Sequence, residues 1–425
     1  MMLFLKNLAR TSILSVFGLM ASFAFAQSEE AEPEKPEFTA EMKSDVLQSM
    51  ELVLTNVAFV PGADFGKWPD MISQYEDQIE KAETPEAFAM LVNRALHEFG
   101  FSHILLFSPQ AADRRRTNEI VGIGVRIQME EGGIRVVRVF EGGAAITADV
   151  RVGDLIFEAD GQKLDNTALL TGNEGQPVKI KLERDGEILE KELIRKRYST
   201  VIPAELFWPE EKVAHLIVPT FDAPYSQTDI KDLMDKAKDA ELLILDVRGN
   251  GGGRVANLRH LASYFLTYEE PLGTFVDRRS VEVYESESGK AFTDVLAVAQ
   301  WKSGNLKPLR RNVEPFQGHV SVLIDGATGS ASEMIAAALH EYRKAEVIGL
   351  PSAGAVLASQ MHPIEHGFLI QIPLMDYVTI KGHRIEGTGL TPDVIAPPNR
   401  YGEKDIGVAE AIRVFREHKD GKKAA

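Results

Sequence analysis

Leu242-Leu243-Ile244-Leu245-Asp246-Val247-Arg248-Gly249-Asn250-Gly251-Gly252-Gly253 is the stretch that decides how this chain folds. Its four leading aliphatic residues show no polar alternation, the pattern of a strand covered on both faces. The glycines then let the backbone turn sharply, and Arg254–Leu266 continues with helical spacing. A glycine-rich corner at the end of a buried strand exposes backbone N–H groups. Those can stabilise an oxyanion, cradle a phosphate or simply make a tight turn. The segment lacks the GxxxxGK[ST] pattern of a nucleotide loop, and no lysine follows closely.

Working outward, the same alternation continues. Val320–Ile324 reads as a strand, Ala331–Tyr342 as a helix and Glu346–Gly349 as a strand, with further strands at Phe368–Ile372 and Tyr377–Ile380. Strands that alternate with helices from Val213 onward predict an α/β core built on a largely parallel sheet. Residues 273–315 are polar and irregular and are expected to cover a site. The corner Gly326-Ala327-Thr328-Gly329-Ser330-Ala331-Ser332-Glu333 again joins strand to helix. Ser330 on that turn would expose its hydroxyl, and the Ala331 N–H would lie at a positive helix N-terminus. A strict GxSxG elbow is absent. The competing reading is a helix cap, because Ser330 with Glu333 fits a capping box; Ser332 would project elsewhere.

Upstream, residues 119–197 change to a period of two, with short runs at Val121–Ile127, Ile134–Val139, Leu155–Ala159, Val178–Arg184 and Glu187–Ile194. Gly132-Gly133 and Asp185-Gly186 are hairpin signals. Thr39 to about Gly100 is helical in pattern: Met42, Val46, Met50, Val53 and Leu54 share one face, and Thr84-Pro85 marks a second helix start. Residues 27–37, rich in Glu and Pro, suit a solvated linker. Residues 1–26 read as a secretory signal peptide, with Lys6 and Arg10, an apolar run from Thr11 to Phe23, and cleavage after Ala26. This predicts a periplasmic or secreted product with no membrane-spanning segment once the signal is removed.

The formal net charge is -16, which disfavours nucleic acid, because phosphate binding needs a basic surface. It also leaves no polybasic anchor for lipid. The chain has 0 Cys, so disulfides, thiolate metal sites and a cysteine nucleophile are all excluded.

Taken together, Asp246–Gly253, Gly329–Glu333, Val347-Ile348-Gly349 and Glu386-Gly387-Thr388-Gly389-Leu390-Thr391-Pro392-Asp393 resemble, in order, the motifs of the S41 serine peptidases, the carboxy-terminal processing and tricorn-core family. The resemblance implies a crotonase-like or ClpP-like α/β protease core acting on polypeptides, without metal or organic cofactor. Gly122-Ile123-Gly124-Val125 resembles the carboxylate-binding loop of a PDZ domain, and Val152-Gly153-Asp154-Leu155-Ile156 its Gly-Asp hallmark. A PDZ domain captures a peptide C-terminus by strand addition. The expected organisation is signal 1–26, linker 27–37, helical region 38–104, PDZ domain 105–198, peptidase core 199–415 and tail 416–425.

One position departs from the family. Processing proteases carry a catalytic lysine after the nucleophile helix, and here Ala355 stands in its place, within Ser352-Ala353-Gly354-Ala355-Val356. Lys344 and Lys381 look like exposed turn residues. A serine hydroxyl without a base is a weak nucleophile. The tricorn-like branch uses a histidine from a Ser-His pair ahead of the PDZ and a glutamate near the closing strand. That resemblance implies Ser330 as nucleophile, His103 as base, Glu386 as orienting group and Ser102 as an assisting group. Gly251 or Gly252, with Ala331, would form the oxyanion hole. The alternative is a catalytically inactive peptide- or ligand-binding protein on the same fold. An acyl-CoA enzyme would share the core only, and the PDZ and signal segments argue against it. His362, His366 and His383 gather in the C-terminal third without HExxH spacing, so no metal site is expected there.

Overall fold

The computed structural model describes residues 37–164, 166–312, 314–398 and 402–424. The signal peptide and all but the last residue of the linker expected at 27–37 lie outside the described residues. Among the described residues, no helix is long and apolar enough to cross a membrane.

The core is a six-stranded sheet in the spatial order Glu205–Glu210, Val213–Ile217, Leu242–Asp246, His319–Ile324, Glu346–Gly349, Val394–Ile395. The last five run parallel, and Glu205–Glu210 adds an antiparallel edge. Both faces are covered, which is why Leu242–Asp246 reads as one buried run. On one face lie the helices Gln227–Ala237, Val255–Ala262 and Ala331–Arg343, which contribute Ile230, Leu258, Leu261 and Ile335. On the other, Val408, Ala411 and Ile412 of the helix Ile406–Ala424 pack on Leu242, Ile244, Leu323 and Ile348. Burying each such aliphatic side chain stabilises the fold by about 2 kcal/mol.

A second sheet centres on Leu369–Val378, which pairs antiparallel with Ala358–Pro363, Leu105–Phe107 and Thr274–Asp277. The N-terminal helices cover it. Val46, Met50 and Leu54 of Ala40–Asn56, and Phe88, Val92 and Leu96 of Pro85–His97, join Phe368, Ile370 and Ile372 in one core. Thr84 caps the second helix by accepting the Ala87 N–H at 3.1 Å, with Pro85 in the first turn.

The β module is a five-stranded antiparallel path, Val125–Glu130, Gly133–Val139, Leu155–Ala159, Pro177–Arg184 and Glu187–Ile194, with Gln162–Lys163 alongside. Asp185 and Gly186 both take positive φ, 52° and 84°, as a two-residue hairpin turn of the right twist requires. Asp154 is buried, accepts the Arg151 N–H at 2.8 Å and pairs with Arg184 through two contacts of 2.7 Å. The Gly-Asp hallmark here is a structural clamp.

Several expectations need correction. Leu105–Phe107 belongs to the second sheet, not to the β module, because its N–H and C=O groups pair with Leu369–Gln371. The helix Pro109–Thr117 and then the two-stranded stalk Glu119–Gly122 with Lys196–Ser199 lead into the module. The run Val121–Ile127 is two strands in different sheets, broken where Gly124 takes φ 89°. The two strands expected at Phe368–Ile372 and Tyr377–Ile380 are one, Leu369–Val378, which leaves Phe368, Thr379 and Ile380 outside it. Residues 416–424 are not a separate tail but continue the last helix, tied down by Arg416 to Glu210 and Lys419 to Glu241. The segment 273–315 holds the strand Thr274–Asp277 and the helices Arg278–Ser288 and Val295–Lys302, whose Val276, Tyr284 and Val298 make a small core of their own.

Candidate active site

The two glycine-rich corners meet at the C-terminal ends of adjacent parallel strands, Leu242–Asp246 and His319–Ile324. They are laced together: Gly329 N–H donates to Asn250 O at 3.0 Å, Gly249 N–H to Asp325 Oδ1 at 2.9 Å, and Thr328 Oγ1 to Val247 O at 2.9 Å. Ser330 sits on the turn with φ 55° and ψ -120°, a conformation that a non-glycine residue adopts only when its surroundings impose it. What imposes it is visible. Its N–H donates to Ala355 O at 2.7 Å and to Glu333 Oε2 at 3.0 Å. Glu333 thus reaches back as a capping-box glutamate does, but it does more. It also accepts from Gly354 N–H at 2.8 Å, Ala355 N–H at 2.9 Å and the Ser352 hydroxyl at 2.5 Å. Burial raises its pKa, and these four donors counter that. Glu333 was read from sequence only as a cap; its grip on the 352–355 loop is a positioning role.

Ser330 and Ala331 line a cavity of about 570 Å³ together with Ser102, His103, Gly251 and Ala355. Met334, Val255, Leu357 and Phe275 give it an apolar lining, and Arg115 and Arg254 stand in it as well. Both arginines pair with Asp222, at 3.0 and 3.7 Å. Among the described lining residues there is no lysine, and Ala355 lies directly against the Ser330 backbone.

His103 reaches this cavity because Ile104 and Leu106 bury in the N-terminal core while Leu105–Phe107 pairs into the second sheet. Its φ is 59°. Its Nδ1 lies 2.7 Å from Ser102 Oγ, and the Ser102 hydroxyl donates to Glu386 Oε2 at 3.0 Å. Glu386, buried, also accepts the Ser102 N–H at 2.7 Å and the Val356 N–H at 2.8 Å. Because the Ser102 proton points at the carboxylate, Ser102 Oγ accepts from Nδ1–H, which leaves Nε2 as the ring's lone-pair nitrogen. Burial lowers the His103 pKa, opposed by Glu386 and assisted by Arg115. The shift favours the neutral imidazole.

The predicted set is thus partly joined. His103, Ser102 and Glu386 form a hydrogen-bonded chain in which Ser102, expected only to assist, is the bridge. Ser330 faces the same cavity, but among the described contacts no hydrogen bond joins its hydroxyl to the His103 ring. Of the oxyanion donors, Gly252 is a correction: its N–H already donates to Asn250 Oδ1 at 2.9 Å. Among the described residues, no acceptor engages the N–H of Gly251 or Ala331. The expected carboxylate loop is likewise partly committed. Gly122 bridges to Thr171, Ile123 N–H donates to Leu170 O at 3.2 Å and the Ile123 carbonyl accepts from Ala145 at 2.6 Å. Gly124 packs so tightly on Gly143 that a Cβ there would lie 2.5 Å from the Gly143 Cα. Val125 opens the edge strand Val125–Glu130. The three C-terminal histidines do not converge: His366 pairs with Asp45 at 2.8 Å, His383 lies 3.8 Å from Glu341, and His362 sits on the strand Ala358–Pro363.

A parallel-sheet core with a serine on its strand-to-helix corner, carrying an inserted β module, is the architecture these elements build. Residues 212–396 match peptidase family S41 and residues 121–194 match the PDZ domain. It is 26% identical over 317 residues to the carboxy-terminal processing protease CtpB of Bacillus subtilis, covering 71% of this chain and 61% of that one. To the carboxy-terminal-processing protease of Bartonella bacilliformis it is 27% identical over 318 residues, covering 72% and 68%. The chain thus spans roughly 60% of the length of the first relatives it matches. Mature CPAF complexed with lactacystin shares the fold, with TM-score 0.54 at 16% identity over 89% of this chain and 98% of that one.

Proposed function

We propose that this chain is an exported serine endopeptidase that cleaves polypeptides through an acyl-enzyme, with a histidine relay in place of the family's usual lysine. The observation that carries the reading is the hydrogen-bonded chain His103–Ser102–Glu386, whose His103 and Ser102 line one cavity with Ser330 while Glu386 is buried behind them. In this reading His103 Nε2 takes the Ser330 proton as Oγ attacks the scissile carbonyl. The N–H groups of Ala331 and Gly251 receive the developing oxyanion. The imidazolium, held through Ser102 by Glu386, then protonates the leaving amine. Water repeats the sequence in reverse roles and releases the acyl product. The apolar lining from Met334, Leu357 and Phe275 suits a hydrophobic substrate side chain. Capture of the substrate C-terminus would use the PDZ edge strand Val125–Glu130, and amidating a peptide's C-terminus should then weaken its cleavage.

A fluorophosphonate probe tests the chemistry. It should label Ser330 in the wild type and fail in Ser330→Ala, and labelling should slow sharply in His103→Ala. A second reading, a non-catalytic peptide-binding protein, is favoured by Ala355 at the lysine position. Absence of both labelling and cleavage, with unfolded peptides still bound, would establish it.

A further inference from the structure

The helix Ile406–Ala424 turns Val408, Ala411, Ile412 and Phe415 toward the parallel sheet, and the next residue on that face is His418. Beneath it, the sheet face changes character. Leu323 and Ile348 give way, at the N-terminal ends of their strands, to His319, Ser321 and Glu346. His319 Nε2 lies 2.6 Å from Glu346 Oε2, and His418 Nδ1 lies 3.1 Å from Glu346 Oε1. The two imidazoles stand edge to face, 5.3 Å between centroids, and Phe415 packs on the His319 ring at 5.6 Å. One donor atom from each of the three side chains lies within 4.8 Å of the others. The Glu346 side chain is 12% exposed and that of His319 21%, whereas His418 is 53% exposed and leaves one side open to water.

We propose that His319, Glu346 and His418 bind a divalent first-row transition ion, zinc foremost, which clamps the end of the C-terminal helix to the sheet. Two imidazoles and one carboxylate suit zinc, copper or nickel rather than the oxygen-seeking magnesium and calcium. Tetrahedral zinc with bonds of about 2.0–2.2 Å holds its donors roughly 3.3–3.6 Å apart, so the three groups need to move little, and water can take the fourth position. The ion would take the place of the hydrogen bond between His319 and Glu346. The three residues come from strands and a helix rigid enough to pre-form the set. They lie at the end of the sheet opposite the Ser330 corner, so the proposal is independent of the peptidase reading.

The test uses the mature chain without a polyhistidine tag. Cobalt(II) titration should saturate at about one equivalent with tetrahedral visible absorption, and zinc should displace it. Zinc should raise Tm relative to chelator-treated protein. Replacing the exposed His418 should leave the fold intact while weakening cobalt binding at least ~10-fold, and His319→Ala should do the same. Unchanged affinity in both variants, or no saturation in the wild type, would overturn the assignment.

Discussion

Ser102 gives both its backbone N–H and its hydroxyl to the Glu386 carboxylate, at 2.7 and 3.0 Å, across 284 residues of sequence. The bridge fixes the tautomer of His103, so removing only the bridging oxygen should misorient the ring without removing it. Ser102→Ala should lower kcat about 10–100-fold with little change in KM, and His103→Ala should lower it by about 10³-fold or more. Steady-state hydrolysis of a fluorogenic polypeptide measures both. Wild-type kcat in Ser102→Ala would remove the bridging hydroxyl from the relay.

Burial lowers the His103 pKa beneath the ordinary 6.5, against the pull of Glu386. A base works when unprotonated, so the acid limb of the kcat/KM profile should fall below pH 6.5. An acid limb above that value would assign it to another group.

Gly252 and Gly251 should respond oppositely to an added methyl. At Gly252, with φ 98°, a Cβ would lie 2.5 Å from the Ser330 Cβ; at Gly251 it meets nothing within 4 Å. Gly252→Ala should slow fluorophosphonate labelling about 100-fold by displacing the nucleophile. Gly251→Ala should keep Tm near wild type. Equal labelling rates in wild type and Gly252→Ala would show that the corner yields.

Arg248 bonds Asp246 at 2.6 Å and Asp405 at 2.7 Å, and Asp246 also meets His215 at 3.0 Å. Burial pushes the Asp246 pKa up, yet His215 and Arg248 hold it down at about 2. Because this is below the unfolded value of 3.8, the contribution to stability is full above 3.8 and is lost as pH falls toward 2. Arg248→Ala should cost about 3 kcal/mol by denaturant unfolding at neutral pH, since Asp246 is left buried without its main partner; Arg248→Lys should cost less.

The middle of the parallel core was legible because its elements announce themselves locally, with an unbroken aliphatic strand, a glycine corner and then a helical period; the edge strands Glu205–Glu210 and Val394–Ile395 carry no such signal. The two corners could be quoted from sequence, and so could Ser330. What escaped was whatever depends on contact between distant segments. Leu105–Phe107 is only three residues long and carries no period; its place is set by the backbone of Leu369–Gln371. Gly252 looked like a free donor because nothing local shows that Asn250 folds back onto its N–H. Glu333 satisfied a local rule so well that its grip on 352–355 was invisible. His319, Glu346 and His418 are separated by 27 and 72 positions, and no spacing motif spans such gaps.

The Ser102–Glu386 bond sets a schedule for synthesis. Glu386, the proposed orienting carboxylate, is made long after His103, and the Arg248–Asp405 tie to the helix Ile406–Ala424 is completed later still. A copy that stops before Glu386 would carry the Ser330 corner but not the carboxylate on which the proposed relay depends.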